Sequence, residues 1–157
     1  MTEENILGTG VEYEKIQYMV VRLGDEQYGI NIKYIDNIVR MQPITRVPKV
    51  QNYFKGVINL RGEVIPVMSL RLKMDLADDV YTNISRIIII KVEAGAAIGI
   101  IVDEVKEVMT LDESCIDKVV ADPKDDHANF ISGVGKSNGS LISLLDLNVI
   151  IGDKDPA

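Results

Sequence analysis

The chain has no tryptophan, two phenylalanines and six tyrosines in 157 residues. Proteins that hold single-stranded nucleic acid stack its bases on aromatic faces, so a platform of that kind is not expected here. A single cysteine, Cys115, rules out an internal disulfide and suits a reducing compartment. One cysteine and one histidine, His127, also fall short of a structural zinc site. Apolar runs are brief, with Ile87 to Ile90 among the longest, whereas a membrane helix needs about 20 residues. The polar, acidic start lacks the basic and apolar pattern of a signal peptide. The expectation is a soluble cytoplasmic protein that reaches a membrane only through a partner. A net charge of −7 and a pI near 4.7, with no visible cluster of Lys and Arg, argue against a nucleic-acid backbone as partner.

What the chain does have is an internal repeat. Tyr28-Gly29-Ile30-Asn31-Ile32, with Ile35 and Ile38, returns about 70 positions later as Ile98-Gly99-Ile100-Ile101-Val102, with Val105 and Val108. Gly56-Val57, Gly62, Val64-Ile65 and Leu70 return about 77 positions on as Gly133-Val134, Gly139, Leu141-Ile142 and Leu147. Repeated glycines and apolar positions specify backbone and core, so function is sought where the copies differ. The largest difference is Asn59-Leu60-Arg61 against Lys136-Ser137-Asn138. Lobes of roughly 65 residues are marginal alone, so two are expected to lean together over a shared apolar interface, with a groove where they meet.

Along the chain, short β-branched runs and turn residues predominate. Gln17 to Leu23 and Gln27 to Ile32 flank Gly24-Asp25-Glu26 as a hairpin, and Ile84 to Val92 and Ala97 to Val102 repeat it. Asn31 to Met41 fits a helical turn leading into a strand as well as it fits a helix. Pro43 and Pro48 hold Ile44 to Val47 as a loop or short edge strand. Gly56 to Leu60 and Val64 to Leu70 form a second hairpin about Arg61-Gly62-Glu63, with Pro66 predicted at an edge or bulge. Leu72 to Asn83 is the expected crossing between lobes, Leu111 to Ser114 opens a helical turn, and Leu141 to Leu147 closes the second lobe. Residues 1–16 and 152–157 read as acidic tails around one domain at 17–151. The fold class is mainly β, as two small barrels, since closure removes exposed edges.

Candidate chemistry is sparse. His127 among Asp125, Asp126 and Asn129, with Ser132 or Ser143, allows a hydrolase to be drawn, but an ordinary loop histidine explains it as well. Cys115 beside Ile116 reads as a buried or partly buried structural thiol. Asp122, Asp125 and Asp126 lack the glycine and terminal glutamate of a calcium loop. A β-barrel that binds single-stranded nucleic acid is the other alternative. Arg61 is the sharpest clue to protein binding, because the second copy has Asn138 there and the fold does not demand the charge. Ile35, Ile38, Val105 and Val108 are either core or the walls of the groove.

Tyr28-Gly29-Ile30, the Thr45 to Pro48 segment, Gly56-Val57-Ile58-Asn59-Leu60-Arg61-Gly62, Val64-Ile65-Pro66 and Gly99-Ile100 with Val102-Asp103 resemble the CheW-like family of chemotaxis coupling proteins. The resemblance spans roughly Gln17 to Ile151. The same fold serves as the regulatory domain of the histidine kinase CheA and as the first module of CheV, and the expectation here is the stand-alone adaptor, without kinase, phosphotransfer or receiver domains. The resemblance implies two five-stranded SH3-like barrels about a pseudo-twofold, acting as a non-enzymatic adaptor without a cofactor. Its implied partners are CheA and the cytoplasmic tip of methyl-accepting chemoreceptors, with neither nucleic acid nor direct membrane contact. Receptor contact is implied at Ile35, Gly56, Arg61, Val105 and Val108. Kinase contact is implied at Asn37, Ile38 and Val39, although relatives often carry an acidic residue where Asn37 stands. Contacts of the second barrel with CheA are also expected.

Overall fold

The computed structural model describes residues 14–92, 95–119 and 130–152. Among these described residues, eleven strands and two short helices follow in order: β1 (Lys15–Leu23), β2 (Glu26–Asn31), β3 (Ile35–Arg40), β4 (Phe54–Leu60), β5 (Glu63–Ser69), α1 (Leu70–Lys73), β6 (Arg86–Lys91), β7 (Ala97–Val102), β8 (Glu104–Asp112), β9 (Ile116–Lys118), β10 (Ile131–Ser137), β11 (Ser140–Leu145) and α2 (Leu147–Ile151). They form a six-stranded sheet ordered β8-β1-β2-β11-β10-β9 and a five-stranded sheet ordered β3-β6-β7-β5-β4. The duplication is visible in the pairing, because β3-β6-β7-β5-β4 of one sheet corresponds to β8-β1-β2-β11-β10 of the other. Each sheet has one parallel ladder at the matching place, β5 with β7 and β11 with β2. Each also has a register shift at the matching glycine, Gly56 and Gly133. The sixth strand, β9, lies outside β10, and a single bridge between Thr45 and Val57 takes that place outside β4.

Two expectations need correction. The copies do not fold as one lobe each. The first hairpin, β1–β2, belongs to the sheet built mostly from the second copy, and the second copy's hairpin, β6–β7, belongs to the first copy's sheet. The 72–83 connection is not the crossing, since it joins β5 to β6 within one sheet. The chain changes sheets through the 3-10 turn Ile32–Tyr34 and again at Asp103. The physical reason lies in these junctions. The Asn31 side chain accepts from Lys33 N–H and opens a 3-10 turn at Ile32–Tyr34, in place of the two-residue reversal that pairs β1 with β2, and this turn carries β3 out of the sheet that holds β2. Pro66 sits one residue before the β5–β7 ladder begins at Val67, so that side of the strand is locally an edge, as its missing N–H requires.

Strand alternation then sorts the side chains into three cores. Ile58, Ile65, Val67, Ile87, Ile89 and Ile101 fill one sheet's own core, and Tyr18, Val20, Leu111, Ile142 and Leu144 fill the other's. The intervening residues, among them Val21, Leu23, Ile30, Met68, Ile88, Ile90, Ile100, Val102 and Leu145, meet in a third, larger cluster drawn from both sheets. This is the shared interface that small lobes need. Ile87 to Ile90 are all buried because they face two cores by turns.

Candidate functional site

The β4–β5 and β10–β11 hairpins share a turn geometry. Arg61 and Gly62 have φ of 55° and 83°, and Asn138 and Gly139 have φ of 51° and 81°. Two successive left-handed residues make a type I′ turn, which asparagine then glycine adopts readily. Arginine at φ above zero costs about 1 kcal/mol. Asn59 Oδ1 accepts from Gly62 N–H at 3.2 Å and steadies the turn. The Arg61 guanidinium is exposed, and among the described residues it makes no ion pair. Beside each turn an aliphatic side chain faces water, with Val64 63% and Leu141 64% exposed.

Gly56 is buried in the β4 bulge at φ 140°, and a Cβ there would stand 2.0 Å from the Thr45 carbonyl oxygen. Its glycine is therefore required by the Thr45–Val57 bridge, whatever partner it meets. It also lines an apolar pocket of about 210 Å³ with Val47, Val50, Phe54, Val57 and Pro66. Phe54 separates this from a more polar cavity of about 650 Å³ that includes Arg46, Asn52, Lys55, Asp78 and Tyr81. From Asn37 to Gly62 the charged residues are Arg40, Arg46, Lys49, Lys55 and Arg61, all cationic in an acidic protein. The even spacing hides this local excess from a search for Lys/Arg clusters.

The remaining predicted residues lie on β3 and β8, the matching end strands of the two sheets. Ile35 and Ile38 of β3 and Val105 of β8 all pack against the shared central core. Val108, opposite Met19, is 47% exposed. Asn37, Ile38 and Val39 do not present one side-chain surface. The bulge between Ile35 and Asn37 sets Asn37 opposite Ile89 and Val39 opposite Ile87, on the inner face, while Ile38 opposes Ile88 on the other. Asn37 Oδ1 is buried without a hydrogen-bond partner. What these residues share is the free backbone edge of β3. Ile35 and Val105 thus meet at one core, whereas Gly56 and Arg61 belong to the β4–β5 hairpin.

A clamp at the second sheet crossing carries no signal in the sequence. Asp103 accepts from Arg71 Nε at 2.9 Å and Nη2 at 2.6 Å, and from Gly24 N–H at 2.8 Å. Arg22 lies 3.8 Å from the same carboxylate and donates to Glu104 at 2.8 Å. The bonds from Arg71, aided by the Gly24 amide and outweighing burial, hold the Asp103 carboxyl below its ordinary range. Asp79 is the opposite case: burial pushes it up, despite the Ser69 hydroxyl that donates to it, and its Oδ1 is buried without a partner. These partners are far apart in sequence, so only the fold reveals them.

Cys115 is partly buried against the core around Leu111, as a structural thiol should be. His127, Asp122, Asp125 and Asp126 lie outside the described residues. Among the described residues no helix is long and apolar enough to cross a membrane.

The model of the CheW-like domain matches residues 17–155. The chain belongs to the CheW-like domain family. It is 35% identical over 138 residues to the chemotaxis protein CheW of Helicobacter pylori, covering 88% of this chain and 82% of that one. To the chemotaxis protein CheW of Bacillus subtilis it is 35% identical over 137 residues, covering 87% and 86%. The crystal structure of the scaffolding protein TtCheW from Thermoanaerobacter tengcongensis superposes with a TM-score of 0.80 at 29% identity, over 90% of this chain and 95% of that one. The fold is mainly β in both.

Proposed function

We propose that this protein is a non-enzymatic coupling adaptor that joins the cytoplasmic tip of chemoreceptors to the histidine kinase CheA in chemotaxis signalling. The observation that carries this reading is the correspondence with chemotaxis CheW proteins along nearly the whole of both chains, in sequence and in fold. The receptor helix docks between β3 and β8, where Ile35, Ile38, Val105 and Val108 offer apolar side chains beside the shared core. Arg61 anchors a partner from its strained turn, because an exposed arginine that costs the fold stability is retained for what it touches. The kinase adds to the free edge of β3 around Asn37 to Val39. Residues 17–151 form the adaptor body, in the cytoplasm and brought to the membrane by the receptors. Signal passes as a coupling free energy between the two docked partners, with no bond broken and no cofactor.

Pull-downs with a receptor tip fragment and with CheA, scored separately, test the two contacts. Retention of both by the wild type and loss of the receptor by Arg61→Glu, with an unchanged melting curve, is the expected result. Failure of the wild type to retain either partner would falsify the adaptor reading.

A further inference from the structure

At the end of the first sheet Arg40 of β3 stands directly opposite Arg86 of β6. Cross-strand neighbours leave the same face of a sheet, and alternation places that face with Ile38 and Ile88, on the side of the central core. Like charges so placed repel. Nothing in the described structure neutralises them. The Arg86 guanidinium donates to two neutral acceptors, the carbonyls of Asn83 at 2.9 Å and Ser85 at 2.8 Å. Arg40 is exposed and has no carboxylate partner among the described residues. The duplication supplies an internal control, because the equivalent pair in the other sheet is Gln17 opposite Thr110. The fold is therefore satisfied by a neutral pair at this position, and the bonds of Arg86 to the turn carbonyls leave the two charges uncompensated.

We propose that Arg40 and Arg86 form an anion-reading end to the receptor groove, gripping the carboxylate of an aspartate or glutamate on the docked helix. This rests on the docking reading above and deepens it. Arg40 lies two residues beyond Ile38, about 6.6 Å along the strand, and four residues of a helix rise about 6 Å. A helix laid along β3 with an apolar side chain over Ile38 therefore brings its residue four positions on to the arginines. One carboxylate between two guanidinium groups removes their mutual repulsion and makes charge-assisted hydrogen bonds in a site the helix has covered. The pair thus selects partners with an acidic residue one turn from an apolar anchor, and fixes the direction in which the helix lies.

The test is binding of a receptor cytoplasmic tip fragment by fluorescence anisotropy at 50 and 300 mM NaCl, with melting curves for every variant. The proteins are the wild type, Arg40→Thr/Arg86→Gln, Arg40→Lys/Arg86→Lys, and Val108→Arg as a block of the groove itself. The neutral double variant should bind about tenfold more weakly at 50 mM, with the gap narrowing at 300 mM. The lysine pair should keep much of the salt dependence while losing part of the affinity. Wild-type binding by the neutral pair at both salts, or a loss that salt leaves unchanged, overturns the inference. If Val108→Arg abolishes binding in that case, the groove stands and only the anion-reading end is lost. If Val108→Arg also binds like the wild type, the docking reading fails with it. Should the double variant melt early, exposed Arg40→Thr alone decides, with about a threefold salt-sensitive loss expected and none counting against the inference.

Discussion

Replacing Asp103 by alanine removes one carboxylate that holds three parts of the chain together. It accepts two hydrogen bonds from Arg71, just after β5, and one from the Gly24 amide in the β1–β2 turn, while its own backbone carries the chain from β7 to β8. The side chains of Asp103 and Arg71 are 14% and 17% exposed, so the guanidinium left behind is poorly hydrated. A hydrogen bond to a charged group contributes about 1.5–3 kcal/mol, and breaking a fully buried pair costs about 3–5 kcal/mol. Partial exposure and the remaining Arg71 bond to the Ala77 carbonyl reduce this, so a loss of about 2–4 kcal/mol is expected. Urea unfolding followed by circular dichroism measures it as a lower midpoint at constant m. The pH dependence has a definite sign. An acid whose folded-state pKa is depressed stabilises the fold above its unfolded value, near pH 4, and that contribution disappears as pH falls through the lower folded value. The difference between wild type and Asp103→Asn should therefore shrink below about pH 4. A loss under about 0.5 kcal/mol, or a difference that grows in acid, would refute the clamp.

Asp79 should behave in the opposite sense. Its folded-state pKa is raised, so its charge costs stability above that value, and the cost fades as pH falls towards the unfolded value. Asp79→Asn keeps an acceptor for Ser69 and should be neutral or stabilising by up to about 1 kcal/mol at pH 7, with the gain vanishing in acid. Gly56→Ala drives a methyl into the Thr45 carbonyl and should cost more than about 3 kcal/mol, read from the same urea curves, whereas Gly62→Ala meets nothing within 4 Å and pays only for its left-handed backbone. Arg61→Asn copies the turn of the other hairpin and should raise the melting temperature by a few degrees, equivalent to about 0.5–1 kcal/mol, while weakening receptor binding. Unaltered binding would mean the guanidinium serves no partner.

Local features were legible in the sequence and pairings were not. Arg61-Gly62 and Asn138-Gly139 sit between alternating apolar residues, and that pattern alone specifies a tight hairpin. The repeat of Tyr28-Gly29-Ile30 as Ile98-Gly99-Ile100 correctly marks β2 and β7 as equivalents. It carries no information on which copy each hairpin joins, because β2 meets β11 and β7 meets β5 through contacts distant in the chain. The run Ile87 to Ile90 has no alternation to read, since both faces are buried. On β3 the bulge after Ile35 reverses the sidedness that a simple count would assign, which puts Ile35 on the face of Ile38 and separates it from Asn37 and Val39. Arg61 stood out only because the copies could be compared. The same comparison of Arg40 with Thr110 points to an asymmetry whose second half, Arg86 against Gln17, needs the strand register.

The most direct measurement is CheA autophosphorylation from labelled ATP in the presence of receptor-bearing membranes, with and without this protein. Kinase activity should rise only when receptor, kinase and this protein are all present, fall on addition of attractant, and be lost with Arg61→Glu. Kinase activity that ignores the protein, with both partners active and the protein folded, would contradict the adaptor reading.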